Sequence, residues 1–284
     1  MIPSGKNLYF EVILLPLIRI MLDILAFEVQ EPTLYGGFHV MSLLLCFLAG
    51  IVGVIRFPHP QESNVRRVLL ISSLVVIGLE VYKQIVMTFS FSASGLTADY
   101  PWYIFPFQFC STPMYVGLAA ALVRSEKIHK CLCAYLATFS LFAGLAVMFY
   151  PSTVFVETLG INIQTMVCHG VMVSLGIYLL FTGYVRPELK TLLHAIPVFM
   201  TLITAAMVMN EVAHRTGLLK TDTFNMFFIS PYCAPSLPVY SLVQTVVPFP
   251  LSIAIYILGF ALAAGIVLGL AALIKSILHH KQPV

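Results

Sequence analysis

Charge is the scarcest thing in this sequence. Of its 284 residues 10% are charged, while 60% are hydrophobic and the mean hydropathy is +0.96. Soluble domains carry about 25% charged residues, so a water-exposed globule is excluded. A formal charge of only +3 gives no reason to expect nucleic acid as a partner. Cysteine is sparse as well. Cys46, Cys110, Cys131, Cys133, Cys168 and Cys233 lie in or beside apolar runs, which excludes the disulfide framework of a small secreted domain. The alternating pattern of an outer-membrane barrel is missing, as are a linker, a low-complexity tract and a clear repeat. The N-terminal run holds Glu11, Arg19 and Asp23 and has no small-residue cleavage pattern, so it does not read as a cleavable leader.

What remains is a series of apolar runs of about 20 residues, the length that crosses a hydrocarbon core. In lipid the backbone must satisfy its own hydrogen bonds, so these runs are helices. The expected fold is all-α, a polytopic transmembrane bundle of seven to eight helices forming one integral membrane domain over residues 1–284. Seven spans are read at 36–56, 68–90, 103–123, 131–150, 163–183, 191–213 and 249–275. Residues 9–27 either span or lie in the interface, with Arg19 and Asp23 spaced to pair on one helix face. Residues 224–247 are apolar but broken by Pro231, Pro235 and Pro238, and read as a re-entrant or capping segment.

Loop charge orients the bundle. One set of loops carries Arg56, Arg66 and Arg67, then Arg124, Lys127 and Lys130, then Arg186 and Lys190, with Lys275 and Lys281 in the tail. The alternate set carries Glu28 and Glu31, Asp99 and Glu157, then a mixed loop with Arg215, Lys220 and Asp222. The basic set, and with it the C-terminus, is expected to be cytoplasmic. Lys6 favours a cytoplasmic N-terminus and a true span at 9–27.

Ionisable groups inside a membrane are costly and mark functional sites by default. With the orientation applied, His39, Glu80, Lys83, Gln108, Cys110, His169, Asn210, Glu211 and His214 all fall in the non-cytoplasmic half of the bundle. Counting 1.5 Å per residue from the expected helix starts puts Cys110 and His169 both roughly 10 Å below that face. Pro106 and Pro113 bracket Cys110 in Phe-Gln-Phe-Cys-Ser-Thr-Pro and loosen the backbone around it. A thiol becomes a nucleophile when a base takes its proton, and a histidine on a neighbouring helix is such a base. Glu80 or Glu211 would orient the imidazole. The plainer reading stands beside this one: a membrane cysteine packs as a small apolar residue, a bundle histidine is hydrogen-bonded structure, and Glu80 with Lys83 is an ion pair. His129 reads as a loop residue.

Gly-Phe-His39, Glu80-Val-Tyr-Lys83, Phe-Gln-Phe-Cys110, Cys-His169-Gly and Phe-Asn225-Met-Phe together resemble the YwaF-like integral membrane family of bacteria and its eukaryotic relative, the transmembrane acyltransferase that makes arachidonoyl ether phospholipids. The resemblance covers roughly residues 36–275. It implies that Cys110 is the nucleophile and His169 the base of acyl transfer between phospholipids. Ser111 stands where the eukaryotic pattern has histidine.

The expectation is therefore a membrane-embedded lipid acyltransferase or transacylase using Cys110 and His169 in the non-cytoplasmic leaflet. His39, Glu80, Lys83, Gln108, Asn210, Glu211, His214 and Asn225 would bind or orient the substrate. No cofactor or metal is expected, the partner is a phospholipid or lysophospholipid, and the setting is a bacterial plasma membrane or the endoplasmic reticulum. Two alternatives stay open. One is a transporter or receptor built on the buried polar group; the other is a seven-helix zinc-dependent lipid hydrolase with His39, His169 and His214 as ligands.

Overall fold

The computed structural model describes residues 13–93, 95–217, 219, 223–234 and 237–280. Lys6, residues 9–12, Lys220, Asp222, Pro235 and Lys281 lie outside the described residues. Among the described residues the regular structure is helical except for one small hairpin and a single antiparallel bridge between Glu28 and Thr158. Helix α1 is Leu15–Leu25, α2 Gly37–Arg56 and α3 Glu62–Thr88. Strands β1 (Phe89–Ser92) and β2 (Gly95–Ala98) follow, paired antiparallel from Phe89↔Ala98 to Ser92↔Gly95. Then come α4 (Thr112–Leu122), α5 (Glu126–Phe149), α6 (Leu159–Phe181), α7 (Leu189–Thr216), α8 (Pro238–Val246) and α9 (Phe249–His280).

Six of these helices (α2, α3, α5, α6, α7 and α9) are long and apolar enough to cross a membrane. The protein is thus a multi-pass membrane protein. In α5 and α6, 67% of the most apolar stretch is buried, against 17–22% in α2, α3, α7 and α9. So α5 and α6 form the centre and the others surround them. The outer helices turn Leu44, Leu48, Ile55, Leu258, Leu262 and Leu270 outward, which suits a lipid solvent rather than water.

Lipid tails are as apolar as leucine, so helices associate here by close packing rather than by escape from water. The α5–α6 contact illustrates this. A Cβ added to Gly176 would lie 2.6 Å from Leu141 Cβ, and one added to Gly144 would lie 2.9 Å from Met172 Cβ. Only glycine allows the two helices this near. Within α5 the chain widens to a π-helical turn at Leu136–Ser140, wholly buried, where Thr138 Oγ1 donates to the Ala134 carbonyl at 2.7 Å. Such turns let a helix rotate its side chains without ending.

The largest departure from the expected spans is at 103–123. Helix begins there only at Thr112, after a 3-10 turn at Trp102–Ile104 and an irregular stretch. The physical reason lies in the prolines. Pro106 pushes Phe105 into an extended conformation (φ −47°, ψ 132°). Pro113 fits the first turn of a helix, where no amide donor is needed. The expected 68–90 span ends as helix at Thr88 and passes into the hairpin, and the run at 131–150 starts earlier, at Glu126, where Ser125 caps the first turn.

Candidate functional site

Cys110 sits in the turn that leads into α4, not inside a helix. The amides of Ser111 and Thr112 both donate to the Gln108 carbonyl, at 2.9 and 3.1 Å. Two residues later the first turn of α4 opens, so the thiol, which is partly buried, lies beside the positive end of a helix. Irregular backbone at membrane depth survives only where protein groups satisfy it. Here they do: Gln84 Nε2 donates to the Ile104 carbonyl at 3.0 Å.

His169 lies ten residues into α6, whose start at Leu159 precedes the expected 163. It is 5% exposed. Its Nδ1 lies 2.7 Å from the Thr165 carbonyl one turn earlier. A carbonyl can only accept, so Nδ1 carries the proton and Nε2 is left with a lone pair. Cys110 and His169 are not hydrogen-bonded to each other in this state. They share a neighbour, because the Lys83 ammonium is within electrostatic reach of both. Cys168, the residue before His169, lines the same narrow cavity as Cys110.

The polar group on α3 is a connected network. Lys83 Nζ is 2.7 Å from Glu80 Oε1, with side-chain exposures of 18% and 8%. Gln84 Nε2 donates to the same oxygen at 2.7 Å, and Tyr100 OH donates to Gln84 Oε1 at 2.7 Å. Burial, and after it the Glu80 charge, push the Tyr100 phenol above its ordinary value, so it serves this network as a neutral donor.

Gln108 and Asn210 act as backbone clamps. Gln108 Nε2 donates to the Asn225 carbonyl and its Oε1 accepts from the Phe227 amide, both at 3.0 Å. Asn210 Nδ2 donates to the Met226 carbonyl at 3.0 Å and its Oδ1 accepts from the Met226 amide at 2.7 Å. Asn225 closes its own turn, its Oδ1 accepting from the Ser230 amide at 2.8 Å. Tyr256 OH donates to the Phe227 carbonyl at 3.1 Å. These bonds hold Phe227 and Phe228 at φ 59° and 58°, a conformation that costs non-glycine residues free energy and persists only where surroundings impose it. The buried Phe227 ring then packs 5.4 Å from Phe109, the neighbour of Cys110.

His39, Glu211 and His214 lie apart from this cluster. His39 is fully buried and both ring nitrogens are engaged, Nδ1 with the Tyr35 amide at 2.9 Å and Nε2 with the Met148 carbonyl at 2.7 Å. Glu211 pairs with Arg215 and accepts from Tyr232 OH at 2.7 Å, and the His214 ring stacks on Tyr232. His39, His169 and His214 are therefore not assembled as a ligand set. Among the described residues no group of three or more His, Cys, Asp or Glu is spaced to hold a metal.

Cys168 and Tyr100 belong with the site, Cys168 because it shares the cavity and Tyr100 because it ends the α3 network. The sequence puts Cys168 in the layer of His169 but reads it as a packing residue, and Tyr100, an aromatic in a short loop, carries no signal at all. His129 lies in α5, 2% exposed, with Nδ1 2.8 Å from the Ala120 carbonyl and Nε2 2.6 Å from Tyr184 OH. Its spacing of four from Cys133 was the available hint.

Residues 34–272 match the TMEM164 family. No curated protein and no solved structure matches the chain.

Proposed function

Taking as premise that the chain belongs to the TMEM164 family, we propose that this membrane-embedded protein is a lipid acyltransferase or transacylase of the non-cytoplasmic leaflet. Cys110 is its nucleophile and His169 its base. One observation carries the reading: the Thr165 carbonyl fixes the proton on His169 Nδ1 and leaves Nε2 bare, in the layer that also holds Cys110, a thiol set in a turn at a helix start.

In the first half-reaction His169 Nε2 takes the Cys110 proton, and the thiolate attacks the carbonyl carbon of a lipid ester. A C–S bond forms and the ester C–O bond breaks. The leaving lysolipid oxygen takes the proton back from His169. In the second, the hydroxyl of an acceptor lysolipid gives its proton to His169, attacks the thioester and restores the thiolate, which regains its proton. Lys83, paired through one carboxylate oxygen of Glu80, supplies positive charge near the thiolate and the developing oxyanion. Gln108 and Asn225 hold the Cys110 turn against the 225–228 segment.

The test is intact mass spectrometry of the purified protein after incubation with phospholipid. Wild type should gain a hydroxylamine-labile acyl mass that Cys110→Ala lacks, and His169→Gln should form it at least about 100-fold more slowly. An acyl adduct that persists in Cys110→Ala, or none on wild type, would refute the thiol mechanism. The transport reading draws on the Glu80–Lys83–Gln84 group, which Tyr100 extends; solute uptake lost in Glu80→Gln with lipid composition unchanged would favour it.

A further inference from the structure

Helix α1 meets the rest of the protein through contacts that fix its direction. At its C-terminal end Tyr82 OH on α3 donates to the Leu25 carbonyl at 2.6 Å. Nearer its start, the Arg19 guanidinium lies 6.0 Å from the centre of the Phe91 ring in β1. Helix α3 runs toward the hairpin, so Tyr82 comes before Phe91 along that path. The chain after α1 is tied to the start of α6: the Leu159 amide donates to the Phe27 carbonyl at 3.0 Å, and the Val29 amide to the Glu157 carbonyl at 2.6 Å. All these contacts lie at the end of the bundle that carries Glu28, Asp99 and Glu157. A span arriving from the opposite end would set Arg19 roughly 9 Å deeper than Leu25, down the side of α3 and away from the hairpin.

The faces of α1 suit a boundary between lipid and water. Leu17, Ile20, Met21 and Ile24 recur at helical spacing and are all exposed. Leu22 is buried against the protein. Arg19 and Asp23 hold the remaining side as an exposed pair 3.9 Å apart. Charges so exposed are costly in the middle of a hydrocarbon core; at its surface they meet water and headgroups. The apolar side continues the lipid-facing surface of the bundle, since Val81, next to Tyr82 on α3, is exposed as well.

We propose that α1 is an amphipathic anchor that binds the membrane surface at the site end of the bundle. It does not cross the bilayer. Leu17, Ile20, Met21 and Ile24 lie among the acyl chains of that leaflet, and Arg19 and Asp23 face water. Of the two expectations for this run, span or interface, the anchor is the second. Tyr82, which holds α1, adjoins Lys83, so the anchor stands beside the polar network of α3.

Trp102 is the one tryptophan of the sequence, so with Trp102→Phe as background a single new indole reports on α1. The whole protein carrying Leu17→Trp or Asp23→Trp is placed in vesicles of phosphatidylcholine brominated either near the ester end or near the tail end of the acyl chains. Leu17→Trp should lose more emission to the ester-end bromines than to the tail-end ones, and little to aqueous iodide. Asp23→Trp should lose emission to iodide and little to either lipid. Ile24→Trp repeats the measurement on the apolar face if Leu17→Trp misfolds. Stronger quenching of Leu17→Trp by the tail-end bromines would mean that the helix crosses the bilayer. Quenching by neither bromine nor iodide would mean that another protein surface covers the face, and ready quenching by iodide that water does. Any of the three overturns the anchor.

Discussion

Glu80 and Lys83 are three residues apart on α3 and almost fully removed from solvent. A buried pair of opposite charges contributes little net stability, yet removing one partner leaves the other unbalanced at high cost. Lys83→Met should therefore destabilise the protein by about 3 kcal/mol, seen as a lower unfolding temperature in detergent, and Glu80→Gln added to it should restore most of the loss. An unchanged midpoint in Lys83→Met would show that the pair is solvated. At this scale the sequence was informative because charge in an apolar run is conspicuous: Glu80, Lys83, Cys110 and His169 could be picked out one by one. Spacing also grouped Glu80 with Lys83, the ion pair that the structure has. That Tyr100 completes the network, and that Thr165 selects the His169 tautomer, depends on side-chain directions that spacing alone does not fix.

The 225–228 segment shows the same limit among elements. The apolar, proline-broken run 224–247 that contains it was separated from the long helices, but nothing in it announced two successive phenylalanines at positive φ. That conformation is imposed by amides on other elements, Gln108 before α4 and Asn210 on α7. The 103–123 run was read as helix throughout because its hydropathy is continuous, whereas Pro106 and the Ile104 carbonyl taken up by Gln84 hold its first half irregular. Asn210→Ala strips the Met226 amide and carbonyl of their buried partner at once. It should cost about 2 kcal/mol and speed hydrogen exchange at residues 224–230 while leaving the buried core of α6 protected. Exchange that quickens equally across α6 would mean that Asn210 supports the whole bundle rather than this segment.

For the molecule as a whole the open quantity is which way it faces. Basic residues cluster at one end of the helices, in the α2–α3, α4–α5 and α6–α7 connections, and the acidic Glu28, Asp99 and Glu157 stand at the other, where Cys110 enters α4. Positive loops stay cytoplasmic, so the site end should face out of the cytoplasm. Asp99 and Lys127 are both exposed and lie at opposite ends. In intact cells an impermeant maleimide should label Asp99→Cys above the level of the unsubstituted chain, and Lys127→Cys only after permeabilisation. The reverse pattern would place the site in the cytoplasmic leaflet. The outcome decides which lipids the protein meets. The site is bounded by α3, whose Val75 and Val81 face outward, so a phospholipid would arrive sideways from its own leaflet rather than through water. Under the acyl transfer proposed above, the leaflet that holds Cys110 would supply both the acyl donor and the lysolipid acceptor.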